Sequence, residues 1–288
     1  MVFRWKDRKA GGVQGQPKLI TTAARDLVVI DDKNVVWRWR PADQSGRGTP
    51  TIIPVNGSPG WGNDIVAAGT FLKLISTGQY NLYIVDPSEQ NILAYSPDRD
   101  GSGFHSAGQP RLTVARDVSK ITSLVIDGDI FAADGGTIVR FVGGKSEGWT
   151  IQAPGTTGFA PQGDVLLRAP PRYTLIASAS DKRTGLLYAW DQANGRVVAF
   201  DKAKGTFFAQ YRIAGDSPAL NDVRGMFVVL GAASGAPSTL YWATKDSVMS
   251  AVLEAVADPT TGPDGSGSPG PSGGTASPKA SGKASRAP

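Results

Sequence analysis

The sequence has no cysteine and only one histidine among its 288 residues, and these shortages exclude several kinds of site. Without cysteine, neither a disulfide framework nor a thiolate metal site is possible. His105 alone cannot build a zinc site, and it leaves a Ser-His-Asp triad with a single candidate base. The chain therefore offers little for zinc chemistry or for histidine-based nucleophilic catalysis.

Long apolar runs are also absent. The longest, near residues 226–233, is far shorter than the roughly 20 residues that span a bilayer. Residues 1–6 lack the apolar centre of a signal peptide. We therefore expect the isolated chain to be soluble and to meet a membrane only through a segment upstream of it.

The excess of positive over negative charge in the sequence is small. The 30 Lys and Arg residues exceed the 25 Asp and Glu residues by five, and the two signs alternate along the chain. Only residues 4–9 form a dense basic cluster, whereas a nucleic-acid-binding protein concentrates its basic residues on one face or helix. We expect no nucleic-acid partner.

What the sequence does contain is a repeated hairpin pattern. The clearest copy covers residues 187–201, where two apolar segments flank Asn194-Gly195, a pair that predicts a type I′ turn. Five copies recur about every 50 residues, a spacing typical of repeat architectures. The first segments of these copies end at Asp31, Asp86, Asp134, Asp191 and Thr244.

Each repeat has room for four short strands, which is the signature of a propeller blade. The pattern predicts the outermost strands of repeats two and three at residues 111–114 and 149–152. We predict an all-β chain, a β-propeller of four-stranded blades with five recognisable repeats plus a partial one. The whole is interpreted as a six-bladed propeller truncated at its N-terminus.

Three regions follow from this interpretation. Residues 1–16 form a partial blade, or a closing strand at residues 2–5 with a loop after it, and residues 17–257 form the propeller. From residue 258 to 288 the composition changes to Gly, Pro, Ser and Ala, with almost nothing to bury. Such a tail is predicted to be disordered.

The loop after the third strand of repeat two has part of a metal-binding pattern. Asp98, Asp100 and Ser102 occupy positions one, three and five of an EF-hand-like Ca²⁺ loop, with glycine at position six. The twelfth position is Gln109 instead of the bidentate glutamate, and no helices flank the loop. These three residues are a weak Ca²⁺ candidate, and the alternative is a polar inter-strand loop, which also carries His105.

The four aspartates that end the first segments, Asp31, Asp86, Asp134 and Asp191, are interpreted as turn-capping residues that accept backbone N–H bonds. The alternative is a ring of catalytic carboxylates. Residues 143–146, Gly-Gly-Lys-Ser, lack the first glycine of a phosphate-binding loop and are interpreted as a Gly-rich turn.

The alternation Val36-Trp37-Arg38-Trp39 suggests an Arg/Trp recognition patch at first sight. Period-2 spacing instead places both tryptophans on one face of a strand and the arginine on the other. The pattern therefore favours a buried sheet interface with a solvated reverse face.

Five segments together resemble the C-terminal, NHL-like β-propeller of bacterial membrane-anchored PPM-type (protein phosphatase 2C-like) serine/threonine phosphatase-family proteins. The resemblance spans nearly all of residues 2–257. The segments that carry it are residues 27–43, 82–87, 125–130, 196–202 and 222–226.

The resemblance implies a phosphatase-like region, then a transmembrane helix, then an extracytoplasmic or cell-surface propeller. The aspartate motifs that hold the phosphatase metals are not in this chain, and Asp134-Gly135-Gly136 lies on a hairpin and is no substitute. We therefore expect a chain without enzyme activity or cofactor.

The expected function is a monomeric binding, sensing or protein-interaction module. Its partner would be a small ligand, a glycan or a protein at the propeller face, because binding residues usually lie on loops held by a rigid scaffold. Two alternatives stay open, a lactonase-like or glycosidase-like hydrolase with its site in the propeller channel, and a purely structural surface module.

Overall fold

The computed structural model describes residues 15–23, 26–40, 50–61, 64–74, 79–152, 169–178, 185–211, 222–230, 237–244 and 248–253. Within these ranges, all regular structure is β-strand except for one 3-10 turn at Ser58–Gly60. The predicted closing strand at residues 2–5 and the tail at residues 258–288 lie outside the described residues. The division into residues 1–16, 17–257 and 258–288 stays a prediction.

The described residues contain nineteen strands in sequence order. The first eight are β1 Pro17–Ala23, β2 Asp26–Asp31, β3 Val36–Trp39, β4 Thr51–Ile53, β5 Ala67–Leu74, β6 Gln79–Asp86, β7 Asn91–Tyr95 and β8 Gln109–Pro110. The next four are β9 Ile121–Ile126, β10 Ile130–Asp134, β11 Thr137–Val142 and β12 Lys145–Ser146. The last seven are β13 Tyr173–Ser178, β14 Leu186–Asp191, β15 Arg196–Asp201, β16 Phe207–Tyr211, β17 Gly225–Val229, β18 Thr239–Ala243 and β19 Val248–Val252.

These strands form five separate sheets in which each strand pairs with its neighbours in sequence. Four sheets have four strands, β1 to β4, β5 to β8, β9 to β12 and β13 to β16, and the described residues give the fifth sheet three strands, β17 to β19. Each sheet is built from strands that are consecutive in sequence, and successive sheets begin about 50 residues apart. Sheets of this kind are the blades of a β-propeller. The all-β, repeated blade architecture predicted from the sequence is therefore confirmed.

Contacts divide the chain into two compact units. Of the described residues, those up to 135 and residues 139–147 form the first unit, and residues 136–138 and those from 148 onward form the second. In the first unit, one apolar core joins residues of the first two sheets and a second core joins residues of the second and third. In the second unit, a third core joins the last two sheets.

The middle strands of a blade are buried on both faces. Every residue of β10 and of β15 is buried, although the side chains of a strand alternate between its two faces. Both faces of these strands are therefore covered. This explains why their sequences are continuous apolar runs instead of alternating apolar and polar residues.

Two outermost strands differ from the prediction. The fourth strand of repeat two is Gln109–Pro110 instead of residues 111–114, and that of repeat three is Lys145–Ser146 instead of residues 149–152. Both observed strands are two exposed residues long, so no burial pattern marks them in the sequence. In repeat three, Gly143 and Gly144 have φ of 55° and 83° and turn the chain back directly after β11.

The type I′ turn predicted at Asn194-Gly195 is wrong. Asp191 pairs with Arg196, so four residues connect β14 and β15. Gly195 has a positive φ of 61°, whereas Asn194 is not among the non-glycine residues with positive φ. The Asn194 side chain instead donates to Asp191 Oδ2 at 2.8 Å and to the carbonyl of Ala169 at 3.1 Å.

Candidate ligand-binding pocket

A concave pocket of about 230 Å³ lies in the first unit, where β3 ends, β6 begins and the loop between β7 and β8 crosses them. Three arginines, a tyrosine and several apolar side chains line it. The lining residues are Arg38, Arg40, Ile53, Gln79, Tyr80, Pro97, Arg99, Asp100, Gly101, Gly103 and Phe104. We define this set as the arginine pocket.

The loop of the arginine pocket is fixed to the first sheet by backbone bonds. The amide of Phe104 donates to the carbonyl of Pro54, and the amide of Asn56 donates to the carbonyl of Phe104, both at 2.9 Å. The side chain of Asn56 also donates to the carbonyl of His105 at 2.7 Å. These contacts attach residues 97–105 to the first sheet, where they form one wall of the pocket.

The weak Ca²⁺ candidate lies in this same loop. Asp98 Oδ2 lies 2.6 Å from Nδ1 of His105, and Asp100 Oδ1 accepts the amide of Ser102 at 3.0 Å. Hydrogen bonds from the backbone amide and then the hydroxyl of Ser102 lower the pKa of Asp100. The structure therefore joins the three predicted residues in one loop, but uses Asp98 and Asp100 to shape it. Among the described residues, no group of three or more His, Asp or Glu residues could hold a metal ion.

Arg40 is held by a buried carboxylate. Its Nε lies 2.5 Å from Oδ1 of Asp26, and its Nη2 lies 2.7 Å from Oδ2. The Asp26 side chain is only 1% exposed, whereas that of Arg40 is 50% exposed. This hydrogen bonding to Asp26 raises the pKa of Arg40 and fixes the guanidinium at the pocket rim.

Arg38 and Arg99 have no carboxylate partner among the described residues. Arg38 Nη1 donates to the carbonyl of Gly101 at 3.1 Å, and this bond leaves the arginine charge uncompensated. Gln79 donates to the carbonyl of Arg99 at 2.7 Å and so positions the backbone of Arg99. The pocket thus presents positive charge that the described residues do not fully neutralise.

Tyr80 contributes a buried hydroxyl. The residue is 4% exposed, its ring tilts against Phe104 with 5.9 Å between the centroids, and its hydroxyl has no hydrogen-bond partner among the described residues. Burial, followed by the charge of Asp26, raises the pKa of Tyr80 to about 12. The hydroxyl is therefore a neutral donor at every physiological pH.

The raised pKa of Tyr80 predicts a loss of stability in alkali. The unfolded phenol titrates near its ordinary value of 10, whereas the folded phenol keeps its proton to about 12. Its contribution is therefore complete below pH 10 and is lost as the pH rises towards about 12. We expect the free energy of unfolding, measured in urea at pH 9 and pH 11, to fall less in Tyr80→Phe than in the wild type. Equal losses in the two proteins would contradict this assignment.

The four segment-ending aspartates lie outside the arginine pocket. Asp31 Oδ1 accepts the amides of Lys33 and Val35, both at 2.9 Å, within the turn after β2. Asp86 Oδ1 accepts the amide of Ser88 at 3.0 Å in the turn after β6. Both carboxylates are buried and occupied by local backbone bonds.

The other two aspartates have arginine partners. Asp134 Oδ2 lies 2.7 Å from Nη2 of Arg116. Asp191 Oδ2 accepts Nε of Arg196 and Nδ2 of Asn194, both at 2.8 Å, and neither member of the Asp191–Arg196 pair is more than 2% exposed. The three side-chain partners are two arginines and an asparagine, and none is a candidate nucleophile.

The sequence did not single out most of the pocket. Arg38 was assigned to a solvated face, and Arg40, Tyr80 and Arg99 were not identified. Arg38 and Arg40 stand two apart on β3 and just after it, so period-2 spacing puts them on the same face. That shared face is the sequence signal that could have identified the two arginines as pocket residues. It does not reveal which loop lies across the face.

No protein-family model and no curated protein matches this chain. Among solved structures, it is similar to a chain in the crystal structure of a nidogen/laminin complex, with 12% identity and a TM-score of 0.47 over 83% of this chain and 76% of that one. A second similar chain lies in the crystal structure of BBS1N in complex with ARL6DN, with 12% identity and a TM-score of 0.45 over 86% of this chain and 68% of that one. Neither similarity is strong enough to support an inference about function. No helix in the described ranges has the length and apolar character needed to cross a membrane.

Proposed function

We propose that this chain is a non-enzymatic binding module whose ligand enters the arginine pocket. The observation that carries the proposal is the pocket itself, a concavity of about 230 Å³ with uncompensated positive charge that both polar and apolar side chains line. Concave sites with apolar walls and a few placed polar groups are typical of ligand binding. Backbone hydrogen bonds already fix the loop of the pocket, so ordering this loop adds little entropic cost to binding.

The sequence resemblance supports a wider context for this binding. In that context the chain is the extracytoplasmic part of a PPM-type phosphatase-like signalling protein, and it acts as a monomeric sensor. The coding region upstream of Met1 tests this part directly. An in-frame phosphatase-like region followed by an apolar helix is expected, whereas a stop codon directly before Met1 would overturn the context and leave the pocket proposal standing.

The absence of enzyme activity is itself a prediction. We expect the purified chain to hydrolyse p-nitrophenyl phosphate, a γ-lactone and p-nitrophenyl glycosides no faster than buffer, with or without added Ca²⁺, Mg²⁺ or Mn²⁺. The described carboxylates at the hairpin turns are occupied by backbone or arginine partners, which is a poor arrangement for general acid and base catalysis. Turnover that Asp31→Asn or Asp98→Asn abolishes without unfolding the chain would favour the hydrolase alternative.

A further inference from the structure

The exposed lining of the arginine pocket is rich in hydrogen-bond donors. Each guanidinium carries five N–H donors in a planar fork. Arg38 uses one of them on the carbonyl of Gly101. Arg40 uses two of them on the carboxylate of Asp26. Arg99 is exposed, and none of the bonds among the described residues engages its guanidinium. Most donors of the three guanidiniums are therefore available to a ligand.

The positive charge of these arginines is not matched by carboxylates of the pocket. Arg40 is paired with Asp26, whereas Arg38 bonds only to a neutral carbonyl. Among the described residues, Asp100 is the one carboxylate that lines the pocket. Asp98 of the same loop does not line it and is bonded to the histidine of that loop. The lining therefore favours an anionic ligand over a neutral or cationic one.

Two of the guanidiniums lie close to one side chain. The charges of Arg38 and Arg40 both oppose the rise in the pKa of Tyr80. The two arginines are also on the same face of the chain at β3, because they stand two residues apart. Tyr80 itself is only 4% exposed, so a ligand meets the two guanidiniums and not the phenol. An anion beside them can accept hydrogen bonds from both.

A phosphate or sulfate ester supplies the acceptors that these donors need. Its tetrahedral group has three terminal oxygens, whereas a carboxylate has two in one plane. One guanidinium pairs with two of the three oxygens, and the third stays available to a second guanidinium. The pocket volume of about 230 Å³ is below the roughly 300–1,000 Å³ of sites that enclose drug-sized ligands, so the ligand is small.

The rest of the exposed lining favours a polar body on that ligand. The Gln79 side chain donates both its amide hydrogens to backbone carbonyls of the loop, at 3.2 and 2.7 Å, so its oxygen remains an acceptor. The exposed carboxylate of Asp100 is a second acceptor. Ile53 and Phe104 are buried at 2% and 3% exposure and offer a ligand little apolar surface. A body with hydroxyl groups therefore fits this lining better than an apolar one.

We propose that the arginine pocket binds the terminal phosphate or sulfate group of a small, hydroxyl-rich ligand such as a sugar phosphate. The oxyanion pairs with Arg38 and Arg40, and Arg99 adds a third guanidinium from the loop. Asp100 and Gln79 accept hydroxyl groups of the body. This inference rests on the proposed binding function and names the ligand class for the same pocket.

The probe is glucose phosphorylated on its primary hydroxyl. We expect it to shift the backbone amide signals of Gly101 and Gly103 in ¹H–¹⁵N NMR spectra, saturably and in the millimolar range or below. Glucose lacks the charge that strengthens hydrogen bonds to arginine, so it should give no saturable shift. Inorganic phosphate lacks the hydroxyl-rich body and should bind several-fold more weakly. Equal binding of glucose, or of inorganic phosphate, would overturn the inference.

Two further esters of the same body test the oxyanion. Glucose sulfated on its primary hydroxyl also presents a tetrahedral group, so binding of either ester supports the inference and shows which oxyanion the pocket prefers. Glucuronate carries a planar carboxylate on a similar body and should bind several-fold more weakly than the tighter ester. Equal binding of glucuronate, or no saturable shift with either ester, would overturn the inference.

Three variants locate the site. Arg38→Gln should weaken binding of the glucose phosphate about tenfold or more, because a hydrogen bond to a charged group is lost. Arg111→Gln removes the same charge from an exposed arginine outside the pocket and should leave binding unchanged. Arg99→Gln should weaken binding several-fold without changing the urea midpoint, since no described bond engages that side chain. Equal losses in the Arg38 and Arg111 variants would show a general charge effect and overturn the assignment.

The same samples separate this inference from the wider proposal. Failure of both esters, with saturable binding of another ligand at Gly101 and Gly103, would overturn this inference and keep the proposed binding function. Release of inorganic phosphate from the glucose phosphate would instead contradict the proposed function, whatever the pocket binds.

Discussion

Replacing Asp191 with alanine will lower the free energy of unfolding by about 3–5 kcal/mol, the cost typical of breaking a buried ion pair from one side. The Asp191 side chain is fully buried, and it accepts the side chains of Arg196 and Asn194 and the amide of Arg172 at 3.0 Å. Alanine would leave the Arg196 guanidinium buried, at 2% exposure, without its carboxylate. Urea titration followed by tryptophan fluorescence measures the loss, and Trp190 next to the site provides a buried reporter.

Asp222 offers the matched control in the same unit. It also pairs with an arginine, since Arg224 Nε lies 3.1 Å from its Oδ1, but both side chains are more than half exposed. Exposed pairs contribute about 0–1 kcal/mol, so Asp222→Ala should be nearly neutral. A similar loss in both variants would show that burial does not determine the effect and would contradict the prediction.

A double replacement distinguishes the effect of the ion pair from the effect of the side-chain volume. Asp191→Leu with Arg196→Met removes both charges and keeps apolar bulk, and such replacements are often neutral or stabilising. We expect the double variant to be more stable than Asp191→Ala. If it is equally unstable, the bonds from Arg172 and Asn194 to the carboxylate, and not the arginine charge, account for the loss.

The repeated hairpins were predictable because they are buried on both faces. The runs 186–191 and 196–201 are apolar at nearly every position in the sequence, and the structure forms strands with these bounds. Here the burial pattern and the local strand preference of aromatic and β-branched residues agree. Local sequence is then sufficient to identify an element and its end.

The outer strands were not predictable on the same ground. Gln109–Pro110 and Lys145–Ser146 are exposed, and each is defined only by its bonds to a neighbouring strand. Proline is also acceptable there, because an edge strand need not donate every backbone N–H. The position of such a strand depends on its pairing with a neighbouring strand, and no local sequence pattern predicts that pairing.

The pocket depends on the same kind of long-range contact. The side of β3 that carries Arg38 is identifiable from alternation, but bonds to residues distant in sequence, among them Pro54 and Asn56, place the loop at residues 97–105 across it. The ion pair of half-exposed Arg40 with buried Asp26 joins residues fourteen apart in the sequence. Neither contact has a local sequence pattern, so the binding site emerges only when the two sheets are in place.

Gly205→Ala will be strongly destabilising, and Gly195→Ala provides a matched control. Gly205 has a φ of 72°, and a Cβ there would overlap the carbonyl oxygen of Thr150, which is backbone and cannot turn away. Gly195 has a similar φ of 61°, but a Cβ there would meet nothing within 4 Å. The two positions therefore share the cost of a positive φ and differ in the steric overlap.

We expect Gly195→Ala to lower the free energy of unfolding by about 1–2 kcal/mol, the penalty of the left-handed conformation for alanine. Gly205→Ala adds the overlap and should cost about 2–5 kcal/mol in total. The overlap also strains the bond from the amide of Gln152 to the carbonyl of Gly205, at 2.9 Å, so the Gln152 amide should exchange its hydrogen faster in this variant alone. Equal urea midpoints for the two variants would show that the segment at residues 149–152 can move away from the new Cβ without a loss of stability. The contact of this segment with the turn after β15 would then not stabilise the fold.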